Sequence, residues 1–219
     1  MLAAAGAALI LVIVGFLHYV GVFDGNLRTV VPGRVYRSGQ LDGARLAKEI
    51  REKKLRTVIS LRGGEPRNRW FRAEAAACAA EGVELKTLHL TATLWPKPEE
   101  LARLLEYFDQ ARYPLLFHCR GGADRSGLAA TLYLHLYAGL PVKDARKQGL
   151  TWRYGHFPFA AVIMDRLLDR IEQENPASVR EWILHRYPVV YAEMKGLAPP
   201  PPADLPAGVP TNPASAVPR

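Results

Sequence analysis

The 219-residue sequence is poor in cysteine, with only Cys78 and Cys119. If one of these thiols serves as a nucleophile, the chain can have no disulfide framework, and two unpaired thiols suit a reducing compartment. The sequence also lacks a Gly-Lys-Ser or Gly-Lys-Thr triplet after a glycine-rich turn. This absence excludes a P-loop nucleotide hydrolase, because that class needs the lysine and the hydroxyl for phosphate and magnesium.

The chain has no basic platform interleaved with aromatic residues and no recognition-helix pattern, so we predict no nucleic-acid partner. It is nevertheless basic, with a formal net charge of +8 and an isoelectric point near 9.7. Many of the cations lie within residues 51–72. Phosphorylated substrates or an anionic lipid surface fit this charge better than DNA or RNA does.

No charged side chain occurs in residues 2–23, and about 20 such residues span a bilayer as a helix. The segment lacks both the basic start and the small-residue cleavage site of a secretory signal peptide. We therefore predict a retained transmembrane anchor at residues 1–23, the alternative being a buried N-terminal helix. Arg28, Arg34 and Arg37 follow it and nothing basic precedes it, which favours a cytoplasmic over a periplasmic catalytic domain.

The other end, residues 198–219, is rich in proline and poor in core-forming residues. Such a composition predicts a disordered tail. Residues 24–197 remain for one folded domain, whose size is typical.

Within that domain, strand patterns alternate with helical patterns along the chain. Strands are predicted at residues 35–37, 56–61, 83–90 and 113–117. Helices are predicted at residues 42–54, 67–80, 98–112, 128–134, 141–150, 159–174 and 177–187, whereas residues 30–33 read as a turn. This alternation predicts an α/β fold with a central, mostly parallel sheet of four to five strands flanked by helices.

The segment from His118 to Gly127 lies between the last predicted strand and a buried helix. A strand followed by a glycine-bearing loop and a helix start aims backbone N–H groups and the positive helix end at an anion. A cysteine at the base of that cradle, Cys119, is expected to have a lowered thiol pKa. Arg125, six residues on, can bring a planar fork of donors to two phosphate oxygens.

This string of His, Cys, five residues, Arg, Ser and Gly resembles the signature of the cysteine-dependent protein tyrosine phosphatase superfamily. The phrase at residues 32–40, Pro-Gly-Arg-Val-Tyr-Arg-Ser-Gly-Gln, resembles the opening strand of its atypical dual-specificity branch, found in bacteria and fungi. The resemblance implies that Cys119 forms a cysteinyl-phosphate, that Arg125 and the loop amides bind the phosphoryl oxygens, and that Ser126 stabilises the leaving thiolate. A buried structural cysteine beside a glycine turn is the alternative.

The remaining site residues also follow from the resemblance. The expected substrate-binding set comprises His118, Arg120, Gly121, Gly122, Ala123, Gly127 and, from the opening strand, Arg37. His118 would support the cysteine's loop by hydrogen bonding and would bind no metal. Arg37 could instead belong to a surface turn.

The sequence departs from the family at the proton donor. Relatives usually supply it as an aspartate in a loop after the third strand, and here that loop, residues 89–98, contains no Asp. Asp124 within the signature is one replacement, although it could instead pair with a neighbouring arginine and order the loop. His89 is a second. Alternatively, the leaving group is already stable and needs no acid, as in a pyrophosphate or an acidic phenol.

The predicted function is that of a phosphatase of the tyrosine or dual-specificity type, acting on a phosphorylated protein, lipid or small molecule. The alternatives are a phospholipid or inositol (pyro)phosphate phosphatase at the membrane, and a pseudophosphatase that binds phosphate without turnover. We predict no cofactor and no metal, because no second His, Asp or Cys stands near His118 at metal-ligand spacing.

Overall fold

The structure, a computed structural model, describes residues 25–197 and three isolated positions, 6, 10 and 15. The predicted anchor at residues 1–23, those three positions apart, and the predicted tail at residues 198–219 lie outside the described residues. In the part of the chain that is described, no helix has the length and apolar character needed to cross a membrane.

One five-stranded sheet forms the centre of the domain. Its strands are β1 (Arg28–Val31), β2 (Val35–Ser38), β3 (Thr57–Ser60), β4 (Glu84–Thr87) and β5 (Leu115–His118). They lie in the order β1-β2-β5-β3-β4, with β1 antiparallel to β2 and every other pair parallel. This arrangement confirms the predicted α/β fold with a mostly parallel sheet.

Helices connect the strands and continue beyond the last one. They are α1 (Gly43–Lys53), α2 (Arg69–Ala80), α3 (Pro98–Gln110), α4 (Asp124–Ala138), α5 (Val142–Gly149), α6 (Pro158–Glu174), α7 (Val179–Glu181) and α8 (Tyr187–Lys195). A 3₁₀ turn, Trp152–Tyr154, lies between α5 and α6, and a π-helical segment, Trp182–Arg186, joins α7 to α8.

Two local predictions differ from the structure. Val30 and Val31 end strand β1 instead of forming a turn, because the chain reverses only at Pro32-Gly33, where Gly33 has φ +68°. Helix α4 begins at Asp124, four residues before its predicted start. Its first turn carries polar residues, so hydrophobic periodicity alone did not reveal it.

Helices cover both faces of the sheet, as the alternation of strand side chains requires. Ile59, Leu115 and Phe117 belong to the larger core cluster, which includes residues of α3, α4 and α6. Val58 and Leu116 belong to the smaller one, together with residues of α1 and α2. Strand β5 is therefore buried on both faces.

The register of the sheet brings three strand ends to one place. His118, the last residue of β5, pairs with Ser38 of β2 on one side and with Ser60 of β3 on the other. In parallel sheets the carboxyl ends of neighbouring strands form the edge at which ligands bind. The segment after His118 lies at that edge, in the middle of the sheet.

Candidate active site

Cys119 follows β5 directly and begins the segment Cys119–Ala123, here called the anion loop. The backbone N–H of Cys119 donates to the Ser38 carbonyl at 3.3 Å, which continues the sheet pairing by one residue. Its side chain is buried, and Sγ lies 3.5 Å from Oγ of Ser126 in the first turn of α4. The sulfur is therefore placed at the base of the loop, against the helix start.

The surroundings of Cys119 favour the thiolate. Burial acts to raise the pKa of this thiol, but the hydroxyl of Ser126, the charge of Arg125 and the backbone N–H groups of Ser126 and Gly122 lower it further than burial raises it. The net result is a pKa below the ordinary value for cysteine. A thiolate is the nucleophilic form of cysteine, so the position suits covalent catalysis. Cys78 contrasts with it, since burial raises the pKa of that thiol to about 12.

The anion loop can form only because one of its residues is Gly122. This glycine has φ +69°, and a Cβ at the position would lie 2.5 Å from the backbone nitrogen of Gly39 and 2.8 Å from the carbonyl carbon of Ser38. Both contacts are with backbone of the β2 end, which cannot move aside. Gly121 is exposed, and a Cβ there would meet no atom within 4 Å.

Two buried side chains hold the loop's carbonyl groups from behind. Nδ2 of Asn26 donates to the carbonyls of Gly121 and Gly122, both at 3.0 Å. Nη2 of Arg37 donates to the carbonyls of Gly122 at 2.8 Å and Ala123 at 2.9 Å. Fixing the carbonyls in this way leaves the N–H side of the loop for an anion.

Arg37 therefore lies behind the loop, a position that differs from its predicted role in binding substrate. It is 1% exposed, and its Nη1 donates to the carbonyl of Gly149 at the end of α5. Burial lowers the pKa of its guanidinium to about 10. Its Nη1 and Nη2 groups donate to backbone carbonyls and, at 3.4 Å, to Oγ of Ser126, so the side chain supports the loop and links it to α5.

Arg125 lies in the first turn of α4, partly exposed, with Nη1 donating to the carbonyl of Leu90 at 3.2 Å. Its Nε is buried and has no hydrogen-bond partner within residues 25–197. A buried donor without a partner is costly, and a bound anion would satisfy it. With the charge of Arg125 acting on Cys119, this is the arrangement expected of a phosphate-binding arginine.

His118 is supported from helix α2. Its Nε2 lies 2.6 Å from Oε1 of Glu74, and both side chains are buried. The other oxygen of Glu74 accepts from Nε2 of Gln40 at 3.0 Å, and Oε1 of Gln40 accepts from Arg62 at 2.8 Å. His118 thus faces α2, and Glu74 is a site residue that sequence analysis missed. An isolated acid on an alanine-rich helix was its only signal.

Asp124 is tied to a histidine that the sequence did not single out. Its Oδ1 lies 2.7 Å from Nδ1 of His156, whose Nε2 lies 2.9 Å from Oδ2 of Asp165. Asp165 in turn accepts from Arg146 at 2.8 Å. Burial acts to lower the pKa of His156, but its bonds and charge interactions with Asp124 and Asp165 raise it above the ordinary value. Asp124 thus pairs with a histidine, not with a neighbouring arginine.

The rim of the site carries positive charge. Arg120 is exposed, and Arg62 is partly exposed with its guanidinium 3.9 Å from the ring centroid of Trp70. Burial lowers the pKa of Arg62, and repulsion from Arg125 and Arg120 lowers it further. Within residues 25–197, none of these three arginines forms an ion pair with a carboxylate. The rim therefore has cationic charge that is available to a substrate.

The remaining predicted positions have simpler surroundings. Gly127 lies in α4 packed against α5, where a Cβ would come within 2.5 Å of Leu150 Cδ1 and 3.0 Å of the Gly149 carbonyl. His89 is exposed and forms a backbone bridge with Arg62, next to the Leu90 carbonyl that receives Arg125. No group of three or more His, Cys, Asp or Glu side chains that could hold a metal ion occurs in the described part of the chain.

Solved structures of known phosphatases share this fold. A complex of P. aeruginosa TpbA, with its cysteine replaced by serine, and phosphotyrosine matches 74% of this chain and 89% of its own at 17% identity, with a TM-score of 0.55. The catalytic core of SIW14, a PP-IP phosphatase of S. cerevisiae bound to citrate, matches 68% and 92% at 18% identity, with a TM-score of 0.51. A putative phosphatase of Shewanella putrefaciens matches 68% and 90% at 16% identity, with a TM-score of 0.54.

At the level of sequence, no curated protein matches the chain significantly. The sequence model of the tyrosine phosphatase family, in contrast, matches residues 20–148, more than half of the chain and the whole of the anion loop. The chain belongs to the tyrosine phosphatase family.

Proposed function

We propose that this protein hydrolyses phosphomonoesters through a cysteinyl-phosphate on Cys119. One observation carries the proposal. A buried sulfur with a lowered pKa lies at the base of a loop whose carbonyls are held from behind, and Arg125 keeps a buried, unpartnered N–H beside it. A nucleophile, a set of amide donors and a guanidinium at one point are what phosphoryl transfer needs.

The chemistry follows in two steps. In the first, the Cys119 thiolate attacks phosphorus, an S–P bond forms, and the ester P–O bond breaks as the leaving oxygen takes a proton. In the second, water attacks phosphorus, the S–P bond breaks, and Ser126 stabilises the thiolate with its hydroxyl, 3.5 Å away. Arg125 and the loop amides bind the phosphoryl oxygens throughout, where charge changes in the transition state.

Asp124 is the proposed proton donor to the leaving group in the first step. It stands next to Arg125, and its Oδ1 lies 2.7 Å from Nδ1 of His156, so the protonated imidazole passes a proton to Asp124 as the leaving oxygen takes one. General acid help contributes about 10²–10⁴ in rate, and more of it is needed for a poor leaving group. Asp124→Asn should therefore slow hydrolysis of an alkyl phosphate far more than that of a nitrophenyl phosphate. Equal slowing of the two would remove Asp124 as the donor and favour substrates whose leaving group needs no acid.

The leading substrate class is a phosphotyrosine or phosphoserine protein, in line with the family. A more highly charged substrate, such as a phosphoinositide or an inositol pyrophosphate, is a second candidate that one observation favours. Arg62 and Arg120 bring two guanidiniums to the rim beyond that of Arg125, and neither forms an ion pair with a carboxylate within residues 25–197. A second phosphate group would complement that charge.

The test compares the full chain with Cys119→Ser on phosphopeptides, phosphoinositides and inositol pyrophosphates, by release of inorganic phosphate. The wild-type protein should hydrolyse at least one class, and the variant should bind the same substrate without releasing phosphate. Equal hydrolysis by both proteins would exclude Cys119 as nucleophile. Binding by both with turnover by neither would identify a pseudophosphatase.

A further inference from the structure

Three exposed apolar side chains, together with half-buried Phe157, lie between α5 and the first turns of α6. Phe159 is 87% exposed, Trp152 52% and Val162 40%. Phe157 stacks on Phe159 with ring centroids 5.6 Å apart. We call these four residues the aromatic rim. Large apolar groups grouped on a surface in this way mark an interaction site.

The aromatic rim lies beside the anion loop. Nδ2 of Asn26 donates to the Tyr154 carbonyl at 2.8 Å while it also holds the carbonyl of Gly121. Gly155 lies close to Ala123, since a Cβ on it would be 3.8 Å from the Ala123 Cβ. The turn that carries Trp152 and Phe157 is thus packed directly on the loop that carries Cys119.

The described chain also begins at this place. The carbonyl of Gly25 accepts from the N–H of Gly39 at 2.7 Å, and Asn26 is the residue that bridges the loop and the rim. The uncharged, apolar stretch of residues 2–23 ends three residues before Asn26. Because a chain extends at most about 3.5 Å per residue, that stretch ends within roughly 10 Å of the Asn26 backbone.

Positively charged side chains lie on the same side of the site. Arg120 and Arg153 are exposed, and the guanidinium of Arg28 lies 5.6 Å from the ring centroid of Tyr154. Aromatic side chains beside arginines are the combination that enters the headgroup region of an anionic bilayer, where rings bury apolar area and guanidiniums meet phosphate. Exposed aromatics and cations therefore lie on one side of the site.

We propose that the aromatic rim docks on the surface of a bilayer containing anionic lipids, so that the anion loop faces phosphomonoesters carried by lipid headgroups. The substrate part of this inference rests on the proposed phosphatase function; the docking part does not. Residues 1–23 then hold the chain at the surface, and Trp152 and Phe159 set the orientation in which Cys119 reaches a headgroup.

Docking is measured on the full chain by fluorescence quenching with brominated lipids in phosphatidylcholine vesicles that contain phosphatidylglycerol. The share of quenching that disappears in Trp152→Phe is assigned to Trp152. We expect that share to be substantial, because the ring would lie among the acyl chains' upper carbons. A quenching share of zero for Trp152 would overturn the proposal. So would protection of Trp152 from aqueous iodide before vesicles are added, since residues 1–23 or a second copy would then cover the rim.

Catalysis is measured with two substrates, phosphatidic acid in the same vesicles and soluble p-nitrophenyl phosphate. Phe159→Asp should lower turnover of the lipid by about tenfold or more, since it removes an aromatic anchor and adds a charge repelled by anionic lipid. The same variant should leave the soluble substrate unaffected, because Phe159 is 87% exposed and its ring stacks on Phe157, outside the anion loop.

Met194→Asp is the matched control, because Met194 is 41% exposed and lies on α8, outside the aromatic rim. It should retain both activities. Equal lipid turnover by Phe159→Asp and the wild-type protein would overturn the proposal. If the wild-type protein hydrolyses neither substrate, the phosphatase assignment fails, while the Trp152 quenching still decides the docking.

Discussion

Ser126 and Cys119 illustrate how single contacts determine reactivity at this site. Burial works against the thiolate, and a hydroxyl, a guanidinium and two backbone N–H groups outweigh it. The hydroxyl contact can be removed by mutation without changing the backbone and while keeping the charge of Arg125. A hydrogen bond to a charged group contributes about 1.5–3 kcal/mol, which corresponds to roughly one to two pKa units.

Ser126→Ala should therefore raise the pKa of the Cys119 thiol by about one to two units and slow the breakdown of the cysteinyl-phosphate. The measurement is the pH dependence of iodoacetamide alkylation, read in a Cys78→Ala background so that only one thiol reacts. Burial raises the pKa of Cys78 to about 12, so its removal should not change the wild-type profile. An unshifted alkylation profile would mean that Arg125 and the backbone N–H groups suffice to lower the pKa of the Cys119 thiol.

His156 provides a pH-dependent contribution to stability. Both ring nitrogens lie within 2.9 Å of a carboxylate oxygen, one of Asp124 and one of Asp165, so both nitrogens donate only when the ring is protonated. Its pKa is raised in the folded protein. The stabilisation is therefore fully present below the unfolded-state pKa and is lost as pH rises through the higher folded-state value.

His156→Gln should accordingly lower the free energy of unfolding more at about pH 5.5 than at about pH 9, as read from urea denaturation at each pH. His185→Gln is the control, because His185 is more exposed and pairs only with Glu181 on the surface, at 3.2 Å. An exposed pair contributes about 0–1 kcal/mol. Equal losses for His156→Gln at both pH values would contradict a protonated ring.

For single residues, the sequence predicts a place in the site only where the residues are close together in the chain. Cys119, Arg125 and Ser126 belong to one short string, so its resemblance to the family signature implies a role for each of them. Asn26 reaches the anion loop from 95 residues away, and Glu74 reaches His118, the residue before that loop, from 44 residues away; no sequence pattern links either to the site. Arg37 was identified from the sequence, but the strand pattern does not tell where its side chain lies, and the structure places the guanidinium behind the loop.

At the scale of elements, the backbone of the anion loop packs closely against the end of β2. Gly122→Ala would force a Cβ to within 2.5 Å of a Gly39 backbone atom and would place alanine at φ +69°. The loop must then move away from β2, and its amides lose their common direction. We expect binding of tungstate, a phosphate analogue, to weaken by more than tenfold, as measured by calorimetry.

Gly121→Ala tests whether that effect comes from the close approach. A Cβ at Gly121 meets no atom within 4 Å, so this variant should bind tungstate much more nearly as the wild-type protein does. Circular dichroism would show whether either variant still folds. Equal weakening in both variants would indicate that the loop needs two flexible residues, not close contact with β2.

The elements themselves were largely predictable, for a physical reason. Strands β3 and β5 are short apolar runs between helices with an apolar face, and only an α/β sheet satisfies both patterns. Strand β1 was missed because it lies at the edge, where Thr29 is exposed, its neighbours are half-buried and no buried residue marks an inner face. The π-helical segment Trp182–Arg186 also has no sequence signal, since it depends on packing against α3.

For the whole molecule, the net charge of +8 and the cationic rim should make association sensitive to salt. The Debye length falls from about 10 Å at 0.1 M salt to about 3 Å at 1 M, so attraction over the rim is screened progressively. We expect kcat/KM for a substrate with two phosphates to fall more steeply with salt than that for one with a single phosphate.

Arg62→Gln should bring the salt dependences of kcat/KM for the two substrates closer together. The variant removes one of the rim's guanidiniums that form no ion pair within residues 25–197, while it keeps a donor for Gln40. Arg56→Gln is a suitable comparison, since Arg56 is an exposed arginine that lies before β3, away from its carboxyl end and the anion loop. Parallel salt dependences for the two substrates in the wild-type protein would show that the rim recognises only one phosphate.

The double contact made by Asn26 has a practical consequence for shortening the chain. A fragment that starts at residue 27 keeps every strand and helix from β1 to α8, yet loses the amide that joins the carbonyls of Gly121 and Tyr154. Such a fragment should fold and stay in solution, but its anion loop would be held less firmly. The safe point for trimming the amino terminus therefore lies before Gly25, three residues earlier than the start of β1 at Arg28 would suggest.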